Sequence, residues 1–216
     1  MQKQGRTRRS RRPVTTGTGT ATRVGRPPVV DRERLLDAAE GAIRRHGPTV
    51  SLERIAAKAG VTKPVLFAHV GNRRALVHAL AERLLTRIEA AIGAALATAA
   101  GGRHSLESVI RAELETIAEH GDLYAFVNGA GTGDMTLDST LAFARRSAEP
   151  LIAGIAQDRK SRGLDPAPAE AWGYAIIGML HMAGLWWVQK SATERDARRL
   201  AAQLTDLAWE GLAPRS

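Results

Sequence analysis

The stretch Ser51–Arg74, SLERIAAKAGVTKPVLFAHVGNRR, reads as two short helices joined by a tight turn. In the first, Leu52, Ile55, Ala56 and Ala59 recur at helical spacing and share one face. Gly60 follows, and a residue without Cβ can take the left-handed conformation that closes a helix. Val61 fills the corner, Thr62 offers a side-chain oxygen as N-cap of the next helix, and Pro64 falls in its first turn, where a missing N–H costs nothing. Leu66 and Val70 then face inward, which leaves Lys63, Val65, Phe67, Ala68 and His69 on or near the outer surface. The small Ala56 lets the second helix cross closely over the first. A bare helical hairpin is the competing reading, but the pattern is that of a helix-turn-helix, whose second helix enters a DNA major groove.

The residue types suit that task. Thr62, Lys63 and His69 can donate hydrogen bonds to phosphate oxygens, and Arg73 and Arg74 add charge at the start of the following helix. Base reading falls to the exposed early part of the second helix: Lys63 can bond guanine O6 and N7, while Val65, Phe67 and Ala68 can touch a thymine methyl. Ser51 and Pro64, at the starts of the two helices, complete the expected DNA-contacting set.

Working outward, Asp31 can cap a helix running to about His46, with Leu35, Leu36, Ala39, Ala42 and Ile43 inward. The net charge of +9 is concentrated before it. Residues 1–28 hold eight Lys or Arg and no Asp or Glu, which leaves the rest of the chain near neutral at +1. Residues 1–30 have almost no large apolar side chains, so this arm is expected to be disordered alone and to favour a polyanion such as DNA phosphate. Gly25-Arg26-Pro27 resembles the core of an AT-hook, which would put Arg26 in a minor groove; for a single tripeptide, a stiff linker is the more economical reading.

Beyond the motif, Asn72 can cap a long helix from Arg73 to about Ala100, with Leu76, Leu80, Leu84, Ile88, Ile92 and Leu96 recurring every four residues. Further helices are expected from Leu106 to about His120, Leu137 to Ser161, Pro168 to Gln189 and Thr193 to Leu212, with start signals at Ser105, Asp165 and Thr193. No alternating run is long enough for a sheet, so the fold class is all-α. Ala171 to Gln189 carries no charge, yet its three glycines, Tyr174 and His181 argue against a membrane span. Trp172, Ile176, Met179, Ala183 and Trp186 form an apolar stripe there, and Leu200, Leu204 and Leu207 form another on the last helix. Two such helices can supply half of a four-helix bundle completed by a second subunit, with Trp186, Leu200, Leu204 and Leu207 at the contact.

Chemistry of other kinds finds little support. Without cysteine, disulfides and thiol catalysis are excluded, and no histidine pair has metal-ligand spacing, so neither a metal nor a cofactor is expected. Gly129, Gly131 and Gly133 lack the preceding strand and following Lys-Ser/Thr of a phosphate loop. Glu113 with Glu115 reads as an ordinary surface pair, so the chain is not expected to be an enzyme. The positive start has no apolar run behind it, which argues against secretion and for a cytoplasmic protein.

The run IAAKAGVTKPVLFAHVGNRRALVHAL resembles the core of the tetracycline-repressor (TetR) family of bacterial transcriptional regulators, over roughly Asp31 to Leu85. Phe67 stands where the family commonly has a tyrosine, whose phosphate hydrogen bond is therefore impossible here. After the basic arm at 1–30, read from composition, the resemblance implies a helix-turn-helix domain at 31–78 and a ligand-binding and dimerisation domain at 79–216. It implies a homodimer on double-stranded DNA, at a palindromic operator, acting as a repressor that a largely apolar small molecule releases. The candidate lining of that ligand site is Tyr124, Phe126, Asn128, Phe143, Arg146, Trp172, Met179 and His181. The alternative is a ligand-insensitive DNA-binding module controlled by a protein partner.

Overall fold

A computed structural model describes residues 31–129, 137–190 and 193–211. The regular secondary structure of the described residues is entirely helical, in the order α1 (Arg32–His46), α2 (Leu52–Lys58), α3 (Lys63–Val70), α4 (Arg73–Ala97), α5 (Gly102–Glu119), α6 (Gly121–Val127), α7 (Leu137–Ser161), α8 (Ala169–Val188) and α9 (Glu194–Glu210). The all-α expectation holds. The basic arm, with Arg26, and most of the glycine-rich stretch lie outside the described residues.

α1, α2 and α3 pack as a small head on the N-terminal part of α4. Their shared core contains Leu35, Leu36, Ala39, Ile43, Ile55, Ala56, Leu66, Val70 and Leu76. The turn between α2 and α3 closes as the sequence implies. Gly60 has φ +70, its N–H donates to the Ala57 carbonyl, and the Val61 N–H donates to the Ala56 carbonyl at 3.0 Å. This paired arrangement satisfies carbonyls that a helix end leaves open, and it packs Val61 against the core. Ser51 Oγ accepts from the Arg54 N–H and Asn72 Oδ1 from the Ala75 N–H, so α2 and α4 start where side-chain caps place them.

The head is also tied to α4 by charge. Arg83 on α4 reaches Glu33, Asp37 and Glu40 on α1, and Arg87 bonds both oxygens of Glu40. One guanidinium among three carboxylates orients α1 against the long helix more than it stabilises the fold, because partly exposed pairs contribute little each.

In the larger part α5 is central, packed between α4 on one side and α9 on the other, while α7 and α8 pair with each other. α6 contacts α1, α4, α5 and α8, and thus joins head to body. Three boundaries differ from expectation. α4 ends at Ala97, where the Thr98 hydroxyl donates to the Ala95 carbonyl. α5 begins four residues before Leu106, with Gly101 at φ +88 as its N-cap, so Ser105 lies inside it. α8 begins after Pro168, and Asp165 instead accepts from the Ala167 N–H in the turn before the helix. The start of α9 matches: Thr193 Oγ1 accepts from the Asp196 N–H and donates to the Asp196 carboxylate.

The rotation of α8 is corrected. Its buried residues are Ala169, Gly173, Ile177, Leu180, Gly184 and Trp187, one position on from the expected stripe. A Cβ at Gly173 would collide with Cγ1 of Ile152 on α7, and one at Gly184 would lie 3.1 Å from Ile117 and 3.2 Å from the Tyr124 hydroxyl. The glycine face goes inward because only it lets the neighbouring elements approach so closely. Trp172, Tyr174, Met182 and Trp186 are turned outward as a consequence. By length and composition α8 could cross a membrane, with mean hydropathy 1.2, but its glycine face is occupied by α5, α6 and α7.

Candidate nucleic-acid interface

α3 presents Pro64, Val65, Ala68 and His69 to solvent, while Leu66 and Val70 anchor its inner face in the head core. Phe67 is half-buried against that core, so its ring is less available than expected. Thr62 occupies the N-cap position of α3, but its side chain makes no capping hydrogen bond. That corrects the expected cap and leaves an exposed hydroxyl beside the helix start.

Lys63 is not simply presented outward. Its Nζ donates to Glu53 Oε1 at 2.8 Å, across the turn, and lies 6.0 Å from the Phe67 ring centroid. The ammonium hydrogen bond is the first cause holding the Glu53 carboxyl down at about 2. His69 Nδ1 is 2.9 Å from the Val65 carbonyl, an acceptor, so Nδ1 carries the hydrogen and Nε2 faces away from the helix. Nε2 can therefore accept when the ring is neutral and donates to a phosphate only as imidazolium. Ser51 Oγ is engaged as the α2 cap and Arg74 is exposed. The Arg73 guanidinium lies 5.7 Å from the Phe126 ring, which turns it toward α6.

The other predicted residues do not form one set. Tyr124 and His181 are brought together, the hydroxyl lying 3.0 Å from His181 Nδ1 and 3.3 Å from its carbonyl. Phe126 is buried at the seam between head and body, and Asn128 donates to the Tyr124 carbonyl at the end of α6. Phe143 and Met179 are half-buried. Arg146 lies on an outer face, where it pairs with Glu82 and Glu89 of α4 and fastens α7 to that helix. Trp172 is 47% exposed, with the Arg159 guanidinium 4.6 Å from its ring. Of the four dimer candidates, Trp186 and Leu207 are exposed, while Leu200 and Leu204 pack partly on their own chain's core. An open cleft of about 340 Å³ lies between α1 and the α5–α6 turn, reaching α8 at Val188; none of the eight predicted ligand residues lines it.

Two carboxylates escaped the sequence reading. Glu53 faces Lys63, and Glu113, read as an ordinary surface residue, is half-buried, with burial pushing its carboxyl up to about 7. The signal for Glu113 was present, since Val109 and Ile117, four residues to either side, are both buried.

The pattern described as "Bacterial regulatory proteins, tetR family" matches residues 35–80, and "Tetracyclin repressor-like, C-terminal domain" matches 91–216. An HTH-type transcriptional regulator of Mycobacterium tuberculosis, itself uncharacterised, is 30% identical over 185 residues, covering 84% of this chain and 76% of that protein. Among solved structures, the fatty acid degradation regulator FadR from Bacillus halodurans superposes with TM-score 0.69 at 19% identity, over 85% of this chain and 97% of that one. FadR from Bacillus subtilis, in complex with stearoyl-CoA, gives TM-score 0.65 at 18% identity, over 85% of this chain and all of that one (100%). A TetR-like transcriptional regulator from Rhodococcus sp. RHA1 gives 0.61 at 23%, over 88% and 100%. With a helix-turn-helix head on a long helix, and both halves of the chain matched, this protein belongs to the TetR family of DNA-binding transcriptional regulators.

Proposed function

We propose that the protein acts in the cytoplasm as a homodimeric repressor, held on a palindromic operator and released by a small, largely apolar ligand in its larger domain. One observation carries the reading. α6 touches the head through α1 and the body through α5 and α8, with Phe126 buried at the seam under Arg73 of α4. A ligand that shifts α6 would thereby move the helix that carries the head.

The dimer is supported by the outward face of α8, where Met182 is 64% and Trp186 52% exposed, next in sequence to α9 with its exposed Leu207. Apolar side chains so exposed on two consecutive helices fit a contact with a second copy. The solved stearoyl-CoA complex of Bacillus subtilis FadR makes a ligand with a long apolar body a reasonable class for this fold.

Selection of duplexes from a random pool by the full chain tests the proposal. An inverted repeat should emerge, and Lys63→Ala with His69→Ala should abolish its binding without loss of helix content. Selected sites lacking two-fold symmetry, or unimpaired binding by the double variant, would sink it.

A further inference from the structure

The cleft between head and body has one wall from each. Glu40 and Arg44 of α1 line it on the head side. Glu119, His120 and Asp122, where α5 gives way to α6, line it on the body side, and Leu123 and Val188 supply apolar surface.

The two walls differ in what they leave unused. On the head side the Glu40 carboxylate is already filled, one oxygen shared by Arg83 and Arg87 and the other held by Arg87. Arg44, in the last turn of α1, is exposed and makes no hydrogen bond or ion pair among the described residues. Arg87 Nη1, on the guanidinium that holds Glu40, is buried and also lacks a partner among them. This side therefore has donors to spare. On the body side the surplus is of acceptors. Asp122 is exposed and unpaired among the described residues, and Glu119 meets only His120 Nε2, at 3.9 Å, beyond hydrogen-bond reach. Burial lowers the His120 imidazole, so it is neutral at pH 7 and adds no charge.

We propose that this cleft binds a small zwitterion, its carboxylate on Arg44 of the head, its ammonium on Asp122 and Glu119 of the body, and a short apolar chain between them. The size fits: about 340 Å³ is at the small end of the ~300–1,000 Å³ typical of ligand sites. An anion alone would face the three carboxylates of Glu40, Glu119 and Asp122, and a cation alone would meet the like charge of Arg44. A long apolar body would find charged walls where it needs aliphatic ones. Among the described residues no group of carboxylates and histidines is arranged to hold a metal ion. Because the two ends of the ligand belong to different parts of the chain, its binding sets α1 against the α5–α6 turn and so acts on the position of the head. This is a second effector, separate from the apolar one, and either can fail alone.

NMR titration of the full chain at pH 7 tests this with three zwitterions of increasing charge separation: β-alanine, 4-aminobutanoate and 5-aminopentanoate. The controls are n-butylamine and pentanoate, which are 5-aminopentanoate without its carboxylate and without its ammonium. The best zwitterion should bind about fivefold or more tightly than either control, as expected for charge-assisted hydrogen bonds at both ends. Arg44→Gln should bring it within about twofold of n-butylamine, and Glu119→Gln with Asp122→Asn within about twofold of pentanoate. All three side chains are exposed, so helix content and thermal stability should stay as in the parent. Binding to the protein on its selected operator should differ from binding to the free protein, since DNA and ligand both set the head. Failure of all three zwitterions to bind, a control that binds as tightly, or a preference that survives in the variants would each overturn the proposal. Equal affinity for the free and the operator-bound protein would overturn its role as an effector site.

Discussion

Lys63, the first residue of α3, and Glu53, in the first turn of α2, are joined by an ion pair of 2.8 Å across the turn of the helix-turn-helix. Both are well exposed, so the pair adds little stability. Its consequence falls on binding. In the free chain the ammonium that could read a guanine is held by a carboxylate on its own head, and that carboxylate would face phosphate. Glu53→Gln should therefore tighten duplex binding about three- to tenfold at moderate salt, while Lys63→Ala weakens it. Fluorescence anisotropy with the selected operator measures both, and weaker binding by Glu53→Gln would show that Glu53 positions Lys63 for DNA.

Glu113 makes stability depend on pH in a direction unusual for a carboxylate. Its acid ionises near 4.5 in an unfolded chain and at about 7 in the folded one. Between those values the folded state holds the extra proton, so stability is greatest toward pH 4.5 and falls as pH rises through 7. Relative to wild type, Glu113→Gln should gain about 2 kcal/mol between pH 5 and pH 8. The fixed cost of an unpaired amide cancels from that slope. Parallel denaturation curves for the two proteins at both pH values would place the Glu113 carboxyl in water.

Much of the head was legible because its signals are local. A Gly60 turn, an Asn72 cap and a four-residue apolar repeat each act within a few residues, and each appears where the spacing implies, the repeat being buried from Leu76 to Ile88 while Leu96, farther along α4, is exposed. α8 was not legible in the same way. Apolar on nearly every side, its sequence cannot give its rotation by periodicity, and the large side chains look like the core. The structure buries Gly173 and Gly184 instead, because closeness to Ile152, Ile117 and Tyr124 requires the absence of a Cβ. That one rotation moves Trp172 from a supposed pocket to the outer surface. Arg146 was misread for a related reason: its partners, Glu82 and Glu89, are some sixty residues away in sequence.

The outward rotation of α8 makes the dimer proposal testable without confounding it with folding. Trp186 is 52% exposed in the single chain, so Trp186→Glu strands no charge in the monomer's own core. At a subunit contact the same charge would be buried unpaired, costing about 3–5 kcal/mol. Sedimentation should show monomers with unchanged helix content, together with loss of binding to a palindrome. A dimeric Trp186→Glu protein would place the contact on another face.

Gly173 offers the strictest test of the α7–α8 packing. Its α-carbon faces Ile152, and an added methyl would overlap Cγ1 of that side chain and come within 3.6 Å of its Cα. The overlapping atom is not the free end of a flexible chain. Cγ1 hangs directly from a branched Cβ whose χ1 is strongly restricted in a helix, so Ile152 cannot swing aside cheaply. Alanine would otherwise favour α8, since glycine in a helix interior costs about 1 kcal/mol relative to alanine. The two effects oppose each other, and overpacking, typically about 1–3 kcal/mol, should win. Gly173→Ala is thus expected to lower stability, whereas Gly178→Ala, where a Cβ meets nothing within 4 Å, should raise it slightly. Adding Ile152→Ala to Gly173→Ala should recover part of the loss, because the second change removes the atom that the first one strikes. Thermal denaturation of the three proteins reads the order directly, and a Gly173→Ala protein as stable as Gly178→Ala would mean that the two helices do not approach through this glycine.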